Sequence, residues 1–183
     1  MDVGAVDSVP GQWRRAFAYG VLAGLSLTLA VVVLLFVQLA PSATTGRGGM
    51  TARTLVFGVV GDFLSTHPGA VDGIRPGIRG AGFVPPPLYY AIGVLVLAGS
   101  GYGASPSTPT ADLRNGVILG ASIVVGYLPI VIGHLLVLWQ FDPAFVSLDP
   151  LRALFVAGVV LPVFFGAIGG ALSTLVTRHR RNG

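Results

Sequence analysis

The stretch NGVILGASIVVGYLPIVIGHLLVLWQF, residues 115–141, is long enough to cross a membrane. Pro129 nevertheless interrupts it, glycines stud it, and His134 stands at a depth where hydrocarbon tolerates no ionisable group cheaply. Val117 to Trp139 is a run of 23 residues without a full charge. At the rise of an α-helix this is roughly 34 Å, against a hydrocarbon core of about 30 Å. A buried helix of a soluble domain rarely runs so long without a charge, so the stretch reads as a membrane span and the rest of the chain is read around it.

Composition agrees with that reading. The chain is 53% hydrophobic and 10% charged, with a mean hydropathy of +0.81, whereas soluble domains carry about 25% charged residues. Its 183 residues leave room for one compact bundle. Cysteine is absent, which excludes disulfides, thiolate metal sites and cysteine nucleophiles. All basic residues are Arg and all acidic ones Asp, a bias that reads as the base composition of a GC-rich genome rather than as chemistry. The net charge of +4 gathers towards the chain ends and suits a membrane surface better than nucleic acid, so no nucleic-acid partner is expected.

Residues 1–13 are short, polar and contain Pro10 and Gly11; they are expected to be disordered. One membrane domain is expected over 14–178, with a basic tail at 179–183. The spans fall at about 16–40, 88–104, 115–139 and 154–176. The first is too long for a signal-peptide core. Pro85, Pro86 and Pro87 introduce the second, where missing N–H groups cost nothing, and Tyr89 and Tyr90 are expected in an aromatic belt. Residues 41–84 form a connection far longer than the few residues usual between bundle helices. Within it Thr51–His67 looks helical, but its apolar core from Thr54 to Gly61 is too short to span. The expected fold class is therefore all-α, a polytopic membrane protein with four transmembrane helices plus one short interfacial or re-entrant helix.

Four spans put both ends on one side, together with Arg14, Arg15, Arg114, Arg178, Arg180 and Arg181; Arg47, Arg53, Arg75, Arg79 and Arg152 fall on the other. The first group lies tight against the spans, so both termini are expected in the cytoplasm of a cell membrane.

Leu against Leu gains little over Leu against lipid, so spans associate through close backbone approach. Small residues recur four apart: Gly20 and Gly24, Gly99 and Gly103, Gly116 and Gly120. In the fourth span Gly158, Pro162, Gly166 and Gly170 follow at successive fours, and this face is expected to pack on the third span. Such GxxxG packing suits a tight bundle, a homodimer or contact with other membrane subunits. Pro129 and Pro162 each remove one helix hydrogen bond; Gly126–Pro129 is a candidate kink opening a polar pocket, but mid-span prolines that merely shape packing are the preferred reading.

His134 is the one ionisable residue squarely inside a span, and Tyr127, two turns earlier, shares its face. Asp62 and His67 on the short helix lie on the same side of the membrane. Two readings follow: Asp62, His67, Tyr127 and His134 line an outward-facing polar cavity for a small solute or a proton, or His134 is structural and ties the short helix down. The structural reading is preferred. No close ligand spacing marks a metal site, no GxxxxGK[ST] loop is present, and no GxSxG nucleophile occurs, so neither metal, cofactor nor enzymatic activity is expected.

The Thr54–His67 segment followed by a Gly-rich loop, GASIVVGYLPIV at 120–131 and VVLPVFFGAIGGALSTL at 159–175 resemble a group of small haloarchaeal membrane proteins, some of which carry a generic transporter label. The resemblance implies a four-span protein of an archaeal cell membrane, without a defined function, and its motifs carry no catalytic residues. The expected role is transporter-like or accessory to a membrane complex; the alternative is a purely structural scaffold subunit.

Overall fold

The computed structural model describes residues 9–43, 52–67, 86–105, 112–141 and 149–182. Every regular element among them is helical: α1 (Val9–Ala43), α2 (Ala52–Ser65), α3 (Pro86–Ala104), α4 (Leu113–Ala121), α5 (Val124–Phe141), α6 (Pro150–Phe155) and α7 (Leu161–Asn182), with a π-helical turn over Val156–Val160. Four stretches are long and apolar enough to cross a membrane: Gly11–Val37, Pro87–Ala104, Leu113–Gln140 and Pro150–Arg180. They point to a multi-pass membrane protein. Each turns large apolar side chains outward, such as Leu29, Leu95, Leu136 and Phe164, as a lipid-facing surface requires.

The helices run further than composition suggests at both ends. α1 starts at Val9, so the polar segment 9–13 is helical; Pro10 stands in the first turn, where its missing N–H is harmless. α7 carries the basic tail to Asn182. Residues 1–8, the Gly-rich segment 68–84 and the connector holding Asp142 lie outside the described residues. Arg178 at the end of α7 pairs with Asp112 at the start of the third span, 3.6 Å apart. This fixes one side of the bundle as the side of the chain ends; the opposite side is termed the loop side.

The third span consists of α4 and α5 joined through Ser122–Ile123. Here the ladder tightens: Ile123 N–H donates to Gly120 O at 3.4 Å, Val125 to Ser122 O at 3.1 Å and Gly126 to Ile123 O at 3.1 Å. Ser122 Oγ also donates to Ile118 O at 2.7 Å, a back-bond that bends helices. The break therefore falls a turn or more before Pro129, which stays inside α5. It also marks a change of partner, since α4 packs chiefly on α7 and α5 on α1. In the fourth span the buried Pro162 cannot donate, and Leu161 N–H reaches back to Val156 O instead, giving the π-turn.

Glycine brings these helices to backbone contact. A Cβ on Gly120 would lie 2.1 Å from Gly166 O, and one on Gly116 would lie 2.7 Å from Gly170 O. Gly158 faces Leu128 and Val131 of α5. Gly101 of α3 abuts Gly166 as well, and Gly169 abuts Ala98. α7 is thus wedged between α3 and α4. In the first span Gly20 meets Ile123, Gly126 and Tyr127, and Gly24 meets Ile130. The second span differs from the expected pairing: Gly103 touches the Tyr19 ring of α1 and Gly99 faces open space, while the face turned to α7 is that of Gly101, about 160° round the helix from both.

α6 is started by Asp149, whose Oδ1 accepts from Leu151 N–H at 3.0 Å and Arg152 N–H at 3.1 Å, with Pro150 in the first turn. Asp149→Ala should lower stability by about 1 kcal/mol, measured by thermal unfolding in detergent; Asp149→Asn should recover most of that loss.

α2 enters the bundle rather than lying on it. A Cβ on Gly93 would come within 2.7 Å of Thr66 O, and Gly93 lies only about 4 Å to the loop side of the middle of Pro87–Ala104 at the helical rise. Asp62, one turn earlier, is level with Tyr89 near that span's loop-side end. The helix runs beside α3 and ends near the level of that span's middle, as a re-entrant rather than an interfacial helix would, with its final carbonyls among buried side chains.

Candidate functional site

At such depth the last turn of α2 must satisfy its own carbonyls. Thr66 N–H donates to Asp62 O and to Phe63 O, both at 3.1 Å, and His67 N–H donates to Leu64 O at 3.1 Å. The side chains fold back as well: Thr66 Oγ donates to Phe63 O at 2.6 Å, and His67 Nδ1 lies 3.0 Å from the same carbonyl. A carbonyl only accepts, so Nδ1 carries the imidazole proton and Nε2 is an acceptor. Tyr127 supplies what it needs, its hydroxyl donating to Nε2 at 2.7 Å.

Tyr127 belongs to α5 and stands at the midpoint of Leu113–Gln140. Phe63, His67 and Tyr127 are all at most 2% exposed. Phe63 is the hub of the cluster. Its ring lies parallel to His134 with centroids 4.0 Å apart and an interplanar angle of 8°, and 6.2 Å from Tyr127. His134 Nδ1–H donates to Ile130 O at 2.8 Å, and its Nε2 is 3.4 Å from Thr28 Oγ on α1.

The structure thus brings His67, Tyr127 and His134 together around Phe63. Asp62 is buried too, but it is reached by the Tyr89 hydroxyl of α3 at 3.4 Å, one helical position round from the histidines. Tyr89 is only 5% exposed, so it turns inward to Asp62 rather than outward into a belt; Tyr90 takes the outward position. These groups are packed on one another. The cavity beside them is a groove of about 530 Å³ between α1, α2 and α5, lined chiefly by apolar side chains such as Leu25, Val59, Val60, Pro129 and Val137, with Thr28 and His134 as its polar ones. Gly158, Gly166 and Gly170 lie apart from this site, against Leu128, Gly120 and Gly116 respectively, and Pro162 is buried in the same span.

Phe63, Thr66 and Thr28 escape a search for ionisable residues. Phe63 and His67 are four apart and share a helix face, and Thr28 is a hydroxyl in the middle of the first span; those are the available signals, and both are weak.

Residues 63–177 match the profile of a family of unknown function, DUF7978. No curated protein and no solved structure matches the chain.

Proposed function

The chain belongs to this family, which brings no activity with it, and from its own residues we propose that it is a non-catalytic accessory membrane protein that supports a larger membrane assembly. The observation that carries this reading is the disposition of the polar groups. His67, Tyr127, Asp62 and Tyr89 are each at most 5% exposed and hydrogen-bond across α2, α3 and α5, an arrangement that bolts a re-entrant helix into place. A solute route would turn such groups towards water. The glycine contacts between α3, α4 and α7 support a stiff core, while the outward apolar faces leave surface for lipid and other subunits or a second copy.

We place the protein in a cell membrane with both ends in the cytoplasm. Arg14 and Arg15 on α1, Arg114 on α4 and the Arg178–Arg181 group on α7 stand at the same side, and positive charge next to spans favours the cytoplasmic face.

A transporter-like role is the second reading. It is favoured by the breaks in the third and fourth spans, at Ser122–Ile123 and Val156–Val160, since interrupted helices serve as hinges in alternating access. Purification from native membranes in mild detergent, paired with flux assays in liposomes, separates the two. The accessory reading expects a second membrane protein in fixed ratio and no flux above empty vesicles. Saturable flux that Tyr127→Phe abolishes would overturn it.

A further inference from the structure

We propose that the groove between α1, α2 and α5 is a lateral binding site for an uncharged lipid-like molecule with an apolar body and a hydroxyl group that donates to His134. Its volume of about 530 Å³ is that of small-ligand pockets. Its α5 wall, Pro129–Val137, runs from about 4 to about 16 Å to the loop side of mid-span at the helical rise. The groove thus lies along the acyl chains with its loop-side end at the interface, and an apolar occupant can enter it sideways from the hydrocarbon. No lining residue carries a full charge, so nothing there would compensate a phosphate or a quaternary amine.

The hydrogen-bond inventory defines the polar end. His134 Nδ1 lies 2.8 Å from Ile130 O and must carry the ring proton to bond that carbonyl, which leaves Nε2 as an acceptor. The polar neighbour of Nε2 is Thr28 Oγ at 3.4 Å. Thr28 has one hydroxyl proton, and Gly24 O holds it at 2.8 Å. One proton faces two acceptors and the shorter bond takes it. The nitrogen lone pair thus has only a long contact to a hydroxyl whose proton is engaged elsewhere, and a better-placed donor at that depth is favourable. Phe63, stacked at 4.0 Å, fixes the imidazole plane. The complementary ligand offers one O–H and is otherwise apolar: a long-chain or isoprenoid alcohol fits, while its ether or hydrocarbon fits the walls and leaves the nitrogen unmet.

The test uses the full chain in phospholipid nanodiscs with a photoreactive hexadecanol bearing a mid-chain diazirine. Labelled peptides should map to α1, α2 and α5 around Leu25, Val59 and Gly133. Unlabelled hexadecan-1-ol should compete about tenfold better than hexadecyl methyl ether, the factor expected of one hydrogen bond. His134→Phe keeps the ring stack and should remove that preference; His134→Gln, which retains an acceptor, should keep part of it. Val59→Trp should block labelling by filling the groove without touching His134, which keeps the test decisive if a His134 variant fails to fold. Equal competition by alcohol and ether would overturn the proposal as apolar filling only. So would labelling spread evenly over the lipid-facing helices, or protection of the groove by a copurified protein rather than by the alcohol.

Discussion

Gly120→Ala should destabilise the purified protein by about 3 kcal/mol, whereas Gly99→Ala should be neutral or stabilise it by up to about 1 kcal/mol. Both changes add one methyl group to a glycine inside a span. At Gly120 the new Cβ would lie 2.1 Å from Gly166 O and 3.0 Å from Gly170 Cα. Those are backbone atoms, which cannot swing aside as a side-chain tip can, so α4 and α7 must separate along their length. The separation also weakens the neighbouring contact of Gly116 with Gly170. At Gly99 nothing lies within 4 Å, and the helix simply gains the better propensity of alanine. Thermal unfolding of both variants in one detergent gives the comparison. Equal melting temperatures would mean that α4 and α7 are not in backbone contact.

The second large effect is expected at Tyr127→Phe. The ring and its packing remain, and only the hydroxyl that donates to His67 Nε2 at 2.7 Å is lost. His67 is 2% exposed and its Nδ1 is engaged by the Phe63 carbonyl, so it cannot turn to recover a partner without giving up that bond. Leaving the acceptor buried and unmet costs about 1–3 kcal/mol. The loss should be local: amide exchange should rise in residues 60–67 well before it rises in α7. A uniform rise across the bundle would show that the α2 end is not held by this bond.

Much of this fold is legible in the chain itself, because membrane spans announce themselves by length and lack of charge. The stripe Gly158–Gly170 is legible for the same physical reason, since only small residues let helices touch in lipid. What periodicity does not convey is register. Gly99 and Gly103 make as good a pair on paper as Gly116 and Gly120, yet Gly101 is the residue that meets α7. The ladder tightens at Ser122–Ile123, where the Ser122 hydroxyl joins its own N–H on Ile118 O, while Pro129 stays inside α5, and no composition rule ranks the two.

The polar residues divide likewise. His67, Tyr127 and His134 converge as their shared side of the membrane suggests. Asp62 does not join them, because one step along α2 turns it about 100° round the helix towards α3. The hub, Phe63, is an apolar residue in an apolar segment, marked only by its four-residue spacing from His67. Thr28 becomes meaningful only once α1 is seen packed along α5.

The end of α2 deep inside the bundle, at the level of Gly93, can be tested by a disulfide. The chain lacks cysteine, so Thr66→Cys combined with Gly93→Cys introduces a single pair. The Thr66 Cβ lies 3.4 Å from where a Cβ on Gly93 would stand, close to the Cβ separation of a disulfide. With a protease site placed in the 68–85 connection, oxidation by copper phenanthroline in native membranes should leave the two cleaved halves joined until reductant is added, while Thr66→Cys with Gly99→Cys should not join them. If the Thr66–Gly93 pair stays unlinked and the thiol introduced by Thr66→Cys reacts readily with a membrane-impermeant maleimide, α2 lies at the surface and the re-entrant helix is wrong.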